Sequence, residues 1–114
     1  MQVITPAQLD DWLQEAALEG NPPPLVLDVR EAWELQTASV TPKGFELVHM
    51  PMHTVPARMN ELDRGRAIAC LCHHGGRSAQ VTYFLMNQGF TRVVNVHGGI
   101  DAWAAQRDPS VPRY

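Results

Sequence analysis

Cys72, His73, His74, Gly75, Gly76, Arg77 and Ser78 form one uninterrupted stretch of chemically capable residues. The apolar run before it, Ala67-Ile68-Ala69-Cys70-Leu71, reads as a buried strand. After it, Ala79-Gln80-Val81-Thr82-Tyr83-Phe84-Leu85-Met86 has helical spacing. A cysteine therefore stands where a strand stops and a helix begins, which is where open parallel sheets bind ligands. A helix N-terminus stabilises an anion through its unpaired N–H groups and dipole. Gly75 and Gly76 let successive N–H groups turn inward, and Arg77 adds a fixed positive charge. At the rim of such a cradle Cys72 is expected to be a reactive thiolate and a nucleophile. The competing reading makes Cys72 a small buried hydrophobe beside an ordinary glycine turn. The Gly-Gly-Arg-Ser that follows it weighs for the nucleophile.

Cys70 and Cys72 are the chain's two cysteines. A disulfide between them would have to close across one residue inside a strand, against the geometry of that bond. Metal is the other alternative, since Cys70, Cys72, His73 and His74 are crowded together. Zinc sites usually draw on two separated ligand pairs, and here the distant candidates are His49, His53 and His97. The spacing argues for no metal, and no cofactor is expected. Cys70 is read as a core residue.

At 114 residues the chain is expected to be one domain, residues 1–114, large enough to bury a core. Its 45% apolar and 18% charged residues are those of an ordinary globule. A net charge of −3 without a basic run points away from nucleic acid and membrane surfaces. No apolar stretch approaches the roughly 20 residues of a membrane helix. The first residues lack the charged start and apolar region of a signal peptide, so the expected location is the cytoplasm.

The elements that must position the cysteine follow from periodicity and punctuation. Val3-Ile4 is a short strand, after which Thr5 and Pro6 start a helix with Leu9, Trp12, Leu13 and Ala16 on one face. Gly20 and Pro22-Pro23-Pro24 end it. Leu25-Val26-Leu27 is a buried strand, Glu31 to Gln36 a short helix, and Glu46 to Pro51 a strand with its exit turn. Val55, Met59 and Leu62 mark one face of another helix. Beyond the cysteine loop, Val81, Phe84, Leu85 and Gln88 share a helical face ended by Gly89. Val93-Val94-Asn95-Val96 is a strand, and Trp103 anchors a last helix. The prolines of 108–114 forbid a helix throughout that tail. Strands alternating with helices predict an α/β fold, a parallel sheet covered on both faces.

Cys72, Gly75, Arg77 and Ser78 form the pattern Cys-x-x-Gly-x-Arg-Ser, which resembles the active-site loop of the rhodanese family of sulfurtransferases. Asp28, Arg30 and Glu34 resemble that family's Asp-x-Arg-x-x-x-Glu, and Gly98, Gly99 and Trp103 its Gly-Gly-x-x-x-Trp. His49 and Pro51 match part of its Gly-His-Ile-Pro-Gly-Ala, with Met52 and His53 in place of the Gly-Ala. A Pro-x-Tyr ending like that of Pro112 to Tyr114 occurs on small bacterial rhodaneses and on rhodanese domains fused to sulfur-carrier-activating enzymes.

The resemblance implies a rhodanese-like α/β fold with a central five-stranded parallel sheet and helices on both faces. It implies that Cys72 takes a sulfane sulfur from a donor such as thiosulfate and passes it to cyanide, a thiol or a protein thiol. His73, His74, Gly75, Gly76, Arg77 and Ser78 would hold the sulfur and its donor, and Asp28 and Arg30 would support the loop. A protein sulfur donor or acceptor is an expected partner. Two alternatives stand beside it: a non-catalytic docking module, and a cysteine phosphatase or arsenate reductase. The related phosphatases have five residues between Cys and Arg, whereas this chain has the four from His73 to Gly76, a smaller ring suited to one sulfur.

Overall fold

The computed structural model describes residues 1–19 and 22–114, so the Gly20 helix stop lies outside the described residues. Five strands, β1 (Gln2–Ile4), β2 (Leu25–Asp28), β3 (Glu46–His49), β4 (Ile68–Leu71) and β5 (Val93–Val96), form one sheet. All pair in parallel, in the order β1-β5-β4-β2-β3. The helices are α1 (Leu9–Leu18), α2 (Ala32–Thr37), α3 (Val55–Arg58), α4 (Gly76–Asn87) and α5 (Gly99–Gln106).

Parallel strands buried on both faces read as continuous apolar runs, and β2 and β4 do so. Alternation along β4 divides the core. Ala69 and Leu71 pack with Leu9, Leu13, Ile100 and Trp103 from α1 and α5. Ile68, Cys70 and Cys72 pack with Val55, Val81 and Leu85 from α3 and α4. Helices therefore cover both faces, as the alternating pattern predicts.

The topology selects the site. From β2 the chain moves outward to β3, and from β4 it moves the opposite way to β5. A crevice opens at such a switch point, beyond the C-terminal ends of β2 and β4. Asp28 is the last residue of β2 and Arg30 lies just beyond it, and Cys72 follows β4.

Three elements differ from their sequence reading. Pro6–Gln8 is a 3-10 turn, and α1 begins only at Leu9. The Val55 helix is a single turn flanked by 3-10 turns at Met52–Thr54 and Met59–Glu61. Leu62 is buried beyond its end. In α4 the buried face is Ser78, Val81, Thr82 and Leu85, and Gln88 is exposed. The helix begins at Gly76, so Ser78 joins the inward stripe, and the chain turns away at Gln88. There Phe90 N–H donates to Leu85 O and Gly89 N–H to Met86 O, a Schellman ending.

Candidate active site

Cys72 lies one residue past β4, with Gly75 as the N-cap of α4. Gly75 has φ +104°, a conformation that side-chain-bearing residues rarely adopt, and it folds the loop back over the sulfur. Its N–H donates to Cys72 Sγ at 3.1 Å, and Ser78 Oγ lies 3.2 Å from the same sulfur. Cys72 is fully buried. It thus sits on the floor of the cradle, where the sequence reading put it at the rim, because the side-chain alternation of β4 continues one residue beyond the strand.

The second glycine pair supports this loop from outside. Gly98 caps α5, whose first free N–H groups donate to the loop: Ile100 to Cys72 O at 2.8 Å and Asp101 to His73 O at 3.1 Å. The carbonyls at the start of the loop are thereby held, while the Gly75 N–H turns inward onto the sulfur.

Arg77 does not present a free charge. Its Nη1 and Nη2 donate to Glu34 Oε1 and Oε2 at 2.6 and 2.9 Å, a bidentate pair linking α4 to α2. Glu34 also accepts from the Glu31 N–H and from the Tyr114 hydroxyl, at 3.1 and 2.6 Å. Arg77, reinforced by the Tyr114 hydroxyl and the Glu31 backbone, lowers the Glu34 carboxyl to about 2 against the opposing effect of burial. The expected cation for an anionic donor is instead a neutral pair.

Asp28 and Arg30 are both fully buried, so theirs is an interior ion pair and not a surface one. Arg30 Nε and Nη2 donate to Asp28 at 2.9 and 2.8 Å. Nη2 also donates to Ala38 O at 2.9 Å, and Nη1 reaches Tyr114 Oη at 3.0 Å. His49 Nε2 donates to Arg30 O at 2.6 Å, anchoring the segment from its other side.

His73 and His74 stand at the outer side of the loop. The His73 ring is sandwiched between His74 at 3.9 Å and Tyr114 at 3.8 Å, and its Nε2 is buried without a hydrogen-bond partner. His74 is exposed, Gly76 is exposed, and Arg77 is partly so. Cys70 lies beneath, inside β4, and burial pushes its thiol up to about 12. Among the described residues, no group of three or more His, Cys, Asp or Glu is placed to hold a metal ion, and no helix is long and apolar enough to cross a membrane.

The structure therefore gathers Cys72, Gly75, Ser78, Arg77, Asp28 and Arg30 beyond the C-terminal ends of β2 and β4. Three further participants are not among the site residues that the sequence points to. Glu34 was visible as the last member of the Asp-x-Arg-x-x-x-Glu pattern. Tyr114 was visible only in the Pro-x-Tyr ending. Asn95 stood out solely as an amide in the apolar run of β5, and it accepts from Ser78 Oγ at 2.5 Å.

A family model described as rhodanese-like domain matches residues 5–106. A protein named sulfurtransferase from Allochromatium vinosum is 37% identical over 87 residues, which are 76% of this chain and 78% of that protein. A protein named thiosulfate sulfurtransferase GlpE from Pseudomonas savastanoi is 28% identical over 71% of this chain and 73% of its own length. Among solved structures, a rhodanese-related protein from Thermoplasma volcanium superposes with a TM-score of 0.78 at 30% identity, covering 100% of both chains.

Proposed function

The chain belongs to the rhodanese family of sulfurtransferases, and from that premise we propose that Cys72 is the residue that carries the sulfur. The Cys72 thiolate attacks the outer sulfur of a donor such as thiosulfate. The S–S bond of the donor breaks, sulfite leaves with the electron pair, and a Cys72 persulfide remains. A thiophilic acceptor then attacks the terminal sulfur and regenerates the thiolate; cyanide leaves as thiocyanate, and a thiol leaves as a persulfide. Two half-reactions through one covalent intermediate give ping-pong kinetics.

The observation that carries this reading is the contact set of Cys72 Sγ: the Gly75 N–H at 3.1 Å, at the N-terminus of α4. Loop N–H groups from His73 to Ser78 would spread the charge of the terminal sulfur. The Arg77–Glu34 pair, with Asp28 and Arg30 behind it, would hold the loop in shape. The pairing of Arg77 favours a second donor, a persulfide presented by a partner protein, because the Arg77 guanidinium is engaged by Glu34 and does not stand open to a small dianion. The cytoplasm is the proposed location, with a protein sulfur donor or acceptor as partner.

The test is intact-protein mass after incubation with thiosulfate, then after adding cyanide or a thiol. One added sulfur on Cys72, removed by the acceptor and absent from Cys72→Ser, is the expected result. Uptake only from a protein persulfide would make the chain a relay. Uptake from neither donor would leave a non-catalytic docking domain.

A further inference from the structure

Ser78 Oγ lies within hydrogen-bond distance of two acceptors, Cys72 Sγ at 3.2 Å and Asn95 Oδ1 at 2.5 Å. A hydroxyl carries one proton and can donate to only one of them. The answer depends on which way the Asn95 amide points. Asn95 Nδ2 lies 3.2 Å from Gly75 O, and a carbonyl can only accept. Reversing the amide would set two oxygens against each other, so Nδ2 belongs toward Gly75 and Oδ1 toward Ser78. An oxygen acceptor at the shorter distance then takes the Ser78 proton, and a lone pair of Ser78 faces the sulfur.

We propose that Asn95 is a positioning residue that holds the Ser78 hydroxyl as a hydrogen-bond acceptor toward Cys72. This rests on Cys72 being the reactive sulfur. In this arrangement the Cys72 thiol donates to Ser78, and the Gly75 N–H donates to the sulfur from the loop. Ser78 therefore favours the protonated cysteine, the reverse of the anion-holding role its place in the loop suggests. Asn95, Ser78 and Cys72 are all buried, so water does not compete for these groups. Gly75 O also accepts the Ala79 N–H at 3.1 Å, so the start of α4 keeps a backbone anchor when Asn95 is removed.

The experiment is the pH dependence of Cys72 alkylation by iodoacetamide, with the adduct located by mass. Ser78→Ala is expected to move the midpoint down by about half a pH unit, since a hydrogen bond to the thiol is lost. Asn95→Ala is expected to move it down by about one unit, because the freed hydroxyl turns to the thiolate and charged acceptors bind more strongly. The double variant should match Ser78→Ala alone. An upward movement in Ser78→Ala, or no downward movement in Asn95→Ala, overturns the proposal. A second readout needs neither variant to fold. In the wild-type protein the Cys72 S–H stretch, taken as the infrared difference from Cys72→Ser, is expected below the free-thiol frequency. A free-thiol frequency overturns it. Failure of sulfur uptake by mass would overturn the transfer reading while leaving these proton positions measurable.

Discussion

The chain turns from strand to helix through paired glycines twice, and the two turns use their donors in opposite ways. After β4, one left-handed glycine, Gly75, aims its N–H at the Cys72 sulfur. After β5, two left-handed glycines, Gly98 and Gly99, bring α5 close enough for Ile100 and Asp101 to bond the carbonyls of Cys72 and His73. The first turn faces a reacting atom, and the second faces the backbone that carries it. Paired glycines alone do not mark a ligand cradle. What distinguishes the two is whether the N–H groups at the helix start already have partners, because each unpaired buried donor seeks one.

Substitutions separate these roles. Gly99→Ala should have the largest effect, because its Cβ would meet the carbonyl oxygens of Cys72 and His73 well inside contact distance. We expect a loss of about 3–5 kcal/mol in urea unfolding, together with loss of sulfur uptake. Full stability in that variant would mean that the supporting turn is dispensable. Gly75→Ala comes next: a Cβ there lies 3.1 Å from Gly98 N on a φ of +104°. The expected cost is about 2 kcal/mol, with uptake reduced more than stability, since this turn meets the sulfur itself. Equal losses in the two measurements would erase the distinction drawn between the turns.

Glu34→Gln tests the brace between them and α2. A loss of about 1–2 kcal/mol near neutral pH is expected, since Arg77 is partly screened by solvent. Glu34 has its carboxyl lowered to about 2 in the folded protein from an ordinary 4.5, chiefly by Arg77. Its contribution is therefore present above about 4.5 and fades as pH falls toward 2. The gap between wild type and Glu34→Gln should close over that window in pH-dependent denaturation, and a constant gap would contradict the assignment. Gly76→Ala should have the smallest effect. Its added Cβ meets nothing within 4 Å and the residue opens α4. Stability within about 0.5 kcal/mol of wild type is expected in thermal melts.

Much of the fold was legible because its strands are short apolar runs between punctuating glycines, prolines and polar turns. Val93 to Val96 was read with the bounds observed, since an apolar run of that length fits a buried strand. The Val55 segment was not, because Val55, Met59 and Leu62 fit helical spacing whether the backbone is one helix or a turn between 3-10 segments. Side-chain spacing reports which residues point inward, not how the backbone hydrogen bonds close. Gln88 shows the same limit at a helix end, where the face continues in sequence after the chain has turned away.

The alternation of strands and helices, and the place of Cys72 between a buried strand and a glycine-opened helix, are legible along the chain. These are local properties, set by periodicity and by which residues tolerate a tight turn. What each polar group bonds emerges from the fold. Arg77 meets Glu34 across 43 positions, and Tyr114 reaches it across 80. Asn95 meets Ser78 across 17, through a strand and a helix that share one face of the sheet. Such pairings depend on strand order and on the side each residue faces. A charge or a hydroxyl read along the chain therefore reveals its capacity to bond, and the fold assigns its partner.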